Sequence, residues 1–348
     1  MNNFLALCQR SAVIFSIVFT VMACDKLDNP KPVSPQVEAP KNIQLEPNRV
    51  ELKRGVYSDL TLQPWQAQSE EQTQLLRDLF EGLTAYDAQG NLVPAVAESW
   101  QTKDNKTWIF TLRENAKWSN GEAVTASDFM QSWQALSQSE SPLKNYLAFM
   151  NLKNAKSVLE KTLAVDSLGL FAENDRTLRI ELDKASPYLP SMLAHVSLLP
   201  HYTKSTKMLI SNGAYQLQSQ AENQHILTAN PNYWAKEKVI FQQVQYQKIE
   251  ADRDLSDFDI AINPQKTVQN IQDYPQLCTY FYEFNLADPM LQKSAVRKAI
   301  ASMISTKNLV ADIAHLYPSN TFLPKSMLGE QESVWEPVVA EQLLSQNQ

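Results

Sequence analysis

Histidine and cysteine are the residue types in this chain with the widest chemical use, as metal ligands, bases and nucleophiles. The four histidines, His195, His201, His225 and His315, are not paired at metal-ligand spacing. We therefore expect them to be structural or surface residues rather than a metal site. Cys278 has no cysteine–histidine signature around it, so we expect a small buried hydrophobe rather than a nucleophile.

The common catalytic motifs are absent from the sequence. No G-x-S-x-G, H-E-x-x-H, C-x-x-C or P-loop pattern occurs. Glu70 and Glu71 form an acidic pair at a predicted helix start, where the helix dipole favours negative charge. A carboxylate pair for glycoside chemistry stays an open alternative, because its two members need meet only in space. Nothing else indicates catalysis, so we expect a protein that is not an enzyme and has no cofactor.

Length and composition indicate a globular protein with an acidic balance. The 348 residues suffice for two domains or one large one, and a hydrophobic content of 44% supports a real core. The net charge is −7 and no lysine- and arginine-rich run occurs, which argues against nucleic acid as the main partner. Cys8 and Cys24 lie in or at the edge of the N-terminal leader, so a disulfide framework is excluded.

Residues 1–24 have the features of an export signal. Arg10 supplies positive charge, and the apolar run SAVIFSIVFTVMA is shorter than the roughly 20 residues of a membrane span. The run ends in Val-Met-Ala-Cys, which resembles a bacterial lipobox with Cys24 as the lipidated residue. We therefore predict a lipoprotein that carries palmitate; an ordinary signal with an incidental cysteine is the alternative. By the same resemblance, Asp25 favours the periplasmic face of the inner membrane.

Residues 25–47 are expected to form an extended tether. The segment holds five prolines and almost no aromatic residues. Proline removes backbone donors and fixes φ, which favours extended conformations. Such a tether would let a globular body sample the space near the membrane, whereas a merely disordered terminus is the alternative.

From about Val50 onward the hydrophobic pattern predicts a mixed fold. Alternation predicts strands in VELKRGVY, WIFTLREN and LRIELDK, and FDIAIN at 258–263 reads as a short buried strand. Helical patterns cover 127–137, 187–195 and 294–316. In EEQTQLLRDLFEGLTAYD, the apolar residues predicted to share one helical face are Leu75, Leu76, Leu79, Phe80 and Leu83. The order of strands and helices indicates an α/β or mixed α+β class.

The stretch AKWSNGEAVTASDFMQSWQAL contains the clearest local signals. Asn120-Gly121 favours a tight turn, because both residues tolerate positive φ. Thr125 sits where an N-cap would, and Asp128 three residues on completes a capping box. The apolar residues that would share one face of the following helix are Phe129, Trp133 and Leu136. A turn that leads into a capped amphipathic helix is therefore predicted.

Several stretches follow one another in an order found in one protein family. They are RDLFEGLTAYDAQGNLVPAVAESW, WIFTLRENAKWSNGEAVTASDFMQSW, SNGAYQL, NPNYW, and CTYFYEFN followed by SAVRKAIASMIS. Together these stretches, over about residues 48–316, resemble the periplasmic oligopeptide-binding proteins of ABC importers, the family 5 extracellular solute-binding proteins. The resemblance implies a type II periplasmic binding protein fold.

In that family an extended peptide lies between two lobes, pairs its backbone with strand edges and places its side chains in hydrated pockets. The resemblance therefore implies peptide transport, with a peptide ligand and the permease subunits of an ABC transporter as partners. The residues expected by position to contact the peptide are Tyr57, Ser58, Asp59, Trp133, Asn212, Gly213, Ala214, Tyr215, Tyr280, Tyr282, Glu283 and Asn285. A core role for Trp133 and a buried strand at YFYEF are the alternatives.

The resemblance also predicts the domain organisation. We expect a lipoprotein signal peptide at 1–24, a tether at 25–47, a first lobe at 48–285 with an inserted subdomain at 65–175, and an incomplete second lobe at 286–348. The first lobe is thus expected to be complete and the second largely missing, as in a C-terminally truncated member. The missing part would include the acidic residue that neutralises the ligand's amino group in the family.

Three hypotheses about function follow. The first is a lipid-anchored peptide-binding protein whose binding is weakened by truncation; the cargo could also be a metal chelate or haem. The second is an interaction or scaffold lipoprotein that pairs with a second polypeptide completing the clamp, and the third is a degenerate fragment. The residues expected to form an apolar helical stripe for such pairing are Val296, Ala299, Ile300, Met303, Ile304, Leu309, Val310 and Ile313.

Overall fold

The computed structural model of this chain describes most of the sequence between residues 49 and 319. The described residues are 49–204, 208–250, 254–262, 279–311 and 316–319. The predicted leader, the tether, Cys24, Cys278 and His315 lie outside them, so the predictions made for these parts stay predictions. In the part that is described, no helix is long and apolar enough to cross a membrane.

Contacts within the chain define two compact units. One is Gln44–Val268, and the other combines Met1–Ile43 with Gln269–Gln348. The predicted lobe boundary at 285 and the predicted inserted subdomain at 65–175 stay predictions.

Among the described residues, all of the strands and the first five α-helices lie in the unit Gln44–Val268, whereas the last two α-helices lie in the other unit. Within the described residues the strands are β1 (Glu51–Val56), β2 (Thr84–Tyr86), β3 (Leu92–Pro94), β4 (Ala97–Thr102), β5 (Thr107–Leu112), β6 (Leu170–Asn174), β7 (Thr177–Glu181), β8 (Tyr215–Ala221), β9 (Gln224–Ala229), β10 (Gln243–Lys248) and β11 (Ile260–Ala261). The helices are α1 (Glu70–Leu79), α2 (Ala126–Gln138), α3 (Asn145–Phe149), α4 (Ala155–Leu159), α5 (Leu189–Met192), α6 (Ser294–Met303) and α7 (Thr306–Leu309). Short 3-10 turns lie at Pro64–Gln66, Pro142–Lys144, Val165–Ser167, Val196–Leu198, Lys236–Lys238 and Leu255–Asp257.

The larger sheet of the unit Gln44–Val268 is mixed, with strand order β11-β1-β10-β9-β8. Strand β1 runs parallel to β10 and β11, whereas β10, β9 and β8 are antiparallel neighbours. Val56 pairs with Lys248 at the carboxyl ends of β1 and β10, and Tyr215 pairs with Ala229 at the other end of the sheet. The chain therefore leaves β1 at one edge of the sheet and enters β8 at the opposite edge.

The smaller sheet, β4-β5-β7-β6, is antiparallel, and α2 packs against β6 and β7. Trp108, Phe110 and Leu112 of β5 are buried, as the alternation of WIFTLREN predicts. The predicted alternation of β7 is confirmed in the same way, because Leu178 and Ile180 are both fully buried.

The predicted turn and capped helix around Asn120 are confirmed. Gly121 has φ 90° and its amide donates to the Trp118 carbonyl at 2.8 Å. At the start of α2, the Thr125 hydroxyl accepts from the Asp128 amide at 3.3 Å, and Asp128 Oδ2 accepts from the Thr125 amide at 2.7 Å. Two reciprocal hydrogen bonds thus complete the capping box.

Helix α1 ends earlier than its apolar pattern predicts. Phe80 already has extended backbone angles, φ −131° and ψ 145°, so Leu83 is not on the helix although its side chain is buried. The physical reason lies in Asn212, whose side chain binds both the amide and the carbonyl of Glu81. These two bonds hold the chain extended directly after α1.

Three further expectations differ from the structure. The helix predicted over 187–195 is only the single turn of α5, and the helix predicted over 294–316 is broken between α6 and the short α7. It breaks because Ser305 is extended and its hydroxyl accepts from the Asn308 amide at 3.3 Å, capping α7. The predicted buried strand in FDIAIN is a short edge strand, β11, in which Ile260 is 41% exposed.

Candidate functional site

Residues Tyr57 to Asp59 follow β1 at the carboxyl edge of the larger sheet. The amides of Tyr57 and Ser58 donate to the two carboxylate oxygens of Glu71, at 2.8 and 2.9 Å. The Asp59 carbonyl accepts from Gln72 Nε2 at 2.6 Å. These backbone groups, which we expected to pair with a peptide backbone, are instead held by the first turn of α1. The amides are therefore not available to a ligand in this structure.

The side chain of Asp59 remains accessible at this edge. It forms an ion pair with Lys248 of β10, with side-chain exposures of 88% for Asp59 and 39% for Lys248. Hydrogen bonding to Asp59 raises the pKa of Lys248. Because an ion pair this exposed contributes little to stability, its two charges can exchange partners with a ligand.

The loop before β8 is fixed to the other end of α1. The Gly213 amide donates to the Leu79 carbonyl at 2.8 Å, and Asn212 binds the Glu81 backbone at 3.1 and 2.9 Å. A Cβ on Gly213 would lie 2.7 Å from the Leu79 carbonyl carbon, so this close approach requires glycine. Asn212 is 2% exposed, and both the oxygen and the nitrogen of its side-chain amide bind the Glu81 backbone.

The predicted site residues of this unit therefore fall into separate groups. Glu71 binds the group Tyr57–Asp59, and Leu79 binds the group Asn212–Tyr215. Glu71 and Leu79 are eight residues apart on α1, or about 12 Å along the helix axis. Tyr57–Asp59 lie at its start, whereas Asn212–Tyr215 lie beyond its end. An extended peptide would need roughly four residues to cover that distance.

Trp133 is a core residue in the structure. It is 1% exposed, its indole N–H donates to the Leu198 carbonyl at 2.9 Å, and its ring packs edge-on against Phe129. It offers no accessible surface to a ligand, in keeping with the alternative weighed for it from the sequence.

The residues expected at the crossing into the second lobe lie in the unit that contains Gln269–Gln348. Tyr280 is 80% exposed and Tyr282 is 84% exposed, and Glu283 is exposed as well. Residues 279–283 form no strand, so the alternative of a buried strand is wrong. Asn285 is a turn residue, because its Oδ1 accepts from the Ala287 amide at 3.1 Å.

A cavity of about 840 Å³ lies beyond the C-terminal end of α1. The sequence did not indicate it, although two predicted residues, Ala214 and Tyr215, line it. Its other polar lining residues include Glu81, Arg113 and Trp234. These residues are distant in sequence, and no spacing rule connects the quoted stretches that contain them, RDLFEGLTAYDAQGNLVPAVAESW, WIFTLRENAKWSNGEAVTASDFMQSW and NPNYW.

The carboxylate of Glu81, a half-buried residue, organises the polar wall of this cavity. Glu81 accepts from the Tyr233 hydroxyl at 2.5 Å and from the Trp234 indole N–H at 2.6 Å. The Arg113 guanidinium stacks on the Trp234 ring, with its central carbon 3.7 Å from the ring centroid. Burial raises the pKa of Glu81 to about 7, against the opposing effects of these hydrogen bonds and of the Arg113 charge.

The described histidines pack into the fold. His195 stacks on Tyr146 at 4.0 Å between ring centroids, and His201 meets Trp65 edge-on at 4.8 Å. His225 is 5% exposed in β9, and burial lowers the pKa of all three imidazoles. Among the described residues, no group of three or more histidine, cysteine or acidic residues is placed to hold a metal ion.

Several bacterial binding proteins are similar in sequence to this chain over most of its length. A protein of Haemophilus influenzae, named only as a binding protein, is 87% identical over all 348 residues, which cover 68% of its own chain. The periplasmic murein peptide-binding protein MppA of Escherichia coli is 32% identical over 83% of this chain. The periplasmic oligopeptide-binding protein OppA of Salmonella typhimurium is 32% identical over 76% of this chain. The chain spans 59% of MppA and 54% of OppA.

The fold agrees with these sequence matches. The solved structure of the Escherichia coli murein tripeptide binding protein MppA superposes with a TM-score of 0.69 at 30% identity, covering 86% of this chain and 65% of MppA. The predicted mixed α/β class and the predicted type of fold are therefore confirmed. The family profile described as "Bacterial extracellular solute-binding proteins, family 5 Middle" matches residues 91–348. The chain thus belongs to family 5 of the bacterial extracellular solute-binding proteins.

Proposed function

We propose that this chain is a lipid-anchored protein that binds peptides on the periplasmic side of the inner membrane and delivers them to the permease of an ABC transporter. The observation that carries this proposal is the 32% identity to two relatives named for peptide binding, over 76% of this chain or more. Binding is reversible and involves no covalent chemistry. Cys24, through its lipidation, supplies the anchor, and the proline-rich segment supplies the tether.

The accessible charges and aromatic rings are the groups that we assign to the peptide. Asp59 lies at the carboxyl edge of the parallel strands, which is where ligands bind in open α/β sheets. Its exposed carboxylate can bind an ammonium group, and Lys248 beside it can bind a carboxylate. In the unit that contains Gln269–Gln348, Tyr280 and Tyr282 offer exposed aromatic surface, and the family resemblance alone assigns them to the peptide. Glu71 in the first turn of α1 binds the amides of Tyr57 and Ser58 and so holds the segment that carries Asp59 in place.

Native mass spectrometry of the purified chain, mixed with a pool of defined tripeptides to pentapeptides, tests the proposal. We expect peptide adducts of the wild-type chain and fewer adducts of the Asp59→Asn and Tyr282→Ala variants. Tyr317→Ala is the matched control, because Tyr317 is 80% exposed and is not assigned to the site. A wild-type chain without any peptide adduct contradicts peptide binding.

The anchor is tested separately in cells that are fed a labelled palmitate. We expect the label on the wild-type chain in the membrane fraction, and no label on Cys24→Ala. A wild-type chain that is exported without the label contradicts lipid anchoring and leaves the peptide experiment unaffected.

A second candidate function is supported by exposed apolar side chains in the unit that contains Gln269–Gln348. Phe281 is 59% exposed, Leu286 56%, Met290 65% and Met303 69%. Such a surface favours pairing with a second polypeptide that completes the clamp. The experiment mixes this chain with the part of the Haemophilus influenzae relative that this chain does not match. A one-to-one complex in light scattering supports pairing, and two separate monomers contradict it.

A further inference from the structure

The cavity beyond α1 has the size and apolar walls of a small-molecule site. Its volume of about 840 Å³ falls within the roughly 300–1,000 Å³ that such sites occupy. Val93, Val239, Ile240 and Phe241 contribute apolar walls. Ile240 is 67% exposed, which places it at the opening. All of the lining residues belong to the unit Gln44–Val268, so one folded unit builds the whole cavity.

Among the described residues, no carboxylate forms a close ion pair with either of the two cations that line the cavity, although the Arg113 charge acts on Glu81. Arg113 Nε donates to the Ala95 carbonyl at 2.6 Å, and the guanidinium lies on the face of Trp234. Within the described residues, its two terminal nitrogens make no hydrogen bond and no ion pair. The Lys238 ammonium lies 5.9 Å from the centroid of the same indole ring, and no carboxylate of the described residues pairs with it. The two positive charges therefore lie 3.7 and 5.9 Å from the centroid of one ring that lines the cavity.

The acids of the lining are engaged elsewhere. Both oxygens of Glu81 accept hydrogen bonds, from Tyr233 and Trp234, and its raised pKa reduces its negative charge near neutral pH. The Asp87 carboxylate accepts from the Asn91 amide at 2.8 Å and from the Gln89 amide at 2.9 Å, and these hydrogen bonds lower its pKa. Its charge is thus bound by amides of its own turn. Neither carboxylate forms a hydrogen bond or a close ion pair with the terminal nitrogens of Arg113.

We propose that this cavity binds a small amphipathic carboxylate, with the carboxylate on Arg113 and Lys238 and the apolar body against Val239 and Phe241. The planar guanidinium fork matches the two oxygens of a carboxylate, and its stacking on Trp234 holds it ready. A single negative charge fits better than a phosphate, because two acids already line the cavity and the remaining wall is apolar.

This site differs from the one proposed for peptides. The peptide assignment uses Asp59 at the carboxyl edge of β1, whereas the cavity includes Tyr215 at the opposite edge of the same sheet. The inference therefore does not depend on peptide binding, and each can fail alone.

Isothermal titration calorimetry of the full chain with octanoate and with octanamide tests the proposal. The two probes share an apolar body and differ in charge. We expect one octanoate per chain, and binding of octanamide weaker by about tenfold or more. Lys238→Gln is expected to weaken octanoate binding by about fivefold or more. Lys236→Gln, an exposed residue of the same short turn outside the cavity lining, serves as the matched control.

Equal affinity for octanoate and octanamide overturns the proposal, and so does a wild-type chain that binds neither probe. Equal octanoate affinities of Lys238→Gln and Lys236→Gln also overturn it. Arg113→Lys provides a second test, since it keeps the positive charge but replaces the planar guanidinium, with its paired N–H donors, by a single ammonium group. We expect it to weaken octanoate binding, while its urea unfolding midpoint shows whether the fold is retained.

Discussion

Glu71 binds Ser58 twice, through the backbone amide at 2.9 Å and through the side-chain hydroxyl. The same carboxylate also accepts from the Tyr57 amide at 2.8 Å. One buried acid in the first turn of α1 thus fixes the direction in which the chain leaves β1. It does so at the edge of the sheet where Asp59 and Lys248 present their charges.

Replacing the buried Glu71 by glutamine is expected to destabilise the fold by about 1–3 kcal/mol, because glutamine retains only one acceptor oxygen for the amides of Tyr57 and Ser58. The free energy of unfolding in urea measures this loss. Glu70→Gln is the matched control, since Glu70 is exposed in the same helical turn and its replacement should cost less than about 0.5 kcal/mol. Equal values for the two variants contradict the role of Glu71.

Local signals were sufficient to predict much of the framework. The turn at Asn120-Gly121 and the cap formed by Thr125 and Asp128 depend on residues at most three positions apart. The strand β5 depends on alternation within six residues. Such features follow from backbone preferences and periodicity, which a single sequence displays directly.

Contacts between segments that are distant in sequence could not be predicted from the sequence alone. Glu81 meets Tyr233 across 152 positions, and Asn212 meets Glu81 across 131. No spacing rule connects such residues, because their meeting depends on how α1 packs against the sheet. The cavity was therefore missed, and the amides of Tyr57 and Ser58 were assigned to a peptide although Glu71 holds them. The break at Ser305 was missed because capping competed with the helical pattern.

Gly213→Ala is expected to destabilise the fold by about 1–3 kcal/mol through overpacking. The added Cβ would lie 2.7 Å from the Leu79 carbonyl carbon and 2.8 Å from the carbonyl oxygens of Asp78 and Leu79, and backbone atoms cannot move aside easily. In Gly82→Ala the nearest atoms are 3.4 Å away, so this control should change stability by less than about 1 kcal/mol. Thermal unfolding of both variants makes the comparison, and a Gly213→Ala chain as stable as wild type contradicts the close approach.

Trp133→Phe separates a core role from a ligand-lining role. The change removes the hydrogen bond to the Leu198 carbonyl and leaves a small void, so we expect a loss of about 1–3 kcal/mol in unfolding free energy. The number of peptide adducts in native mass spectrometry should stay at the wild-type value. Trp100→Phe, at a half-buried tryptophan of β4, is the control for stability. A variant that loses peptide adducts but keeps the stability of the wild type would contradict the core role and indicate that Trp133 contacts the ligand.

Glu81 is expected to make stability depend on pH. Burial raises its pKa from 4.5 to about 7, so the folded chain holds this proton more tightly than the unfolded chain. This stabilisation is complete below pH 4.5 and is lost as the pH rises through about 7. Between pH 5 and pH 8, the unfolding free energy of the wild type should fall by about 2 kcal/mol more than that of Glu81→Gln.

Glutamine suits this comparison because it imitates the protonated acid. Its oxygen can accept from the Trp234 indole N–H, and its amide can donate to the Tyr233 hydroxyl. Urea unfolding at several pH values measures the slope for each variant. Glu114→Gln removes an acid whose side chain is 89% exposed, and it should keep the wild-type slope. If Glu81→Gln also keeps that slope, the Glu81 carboxylate is not the group that links stability to pH.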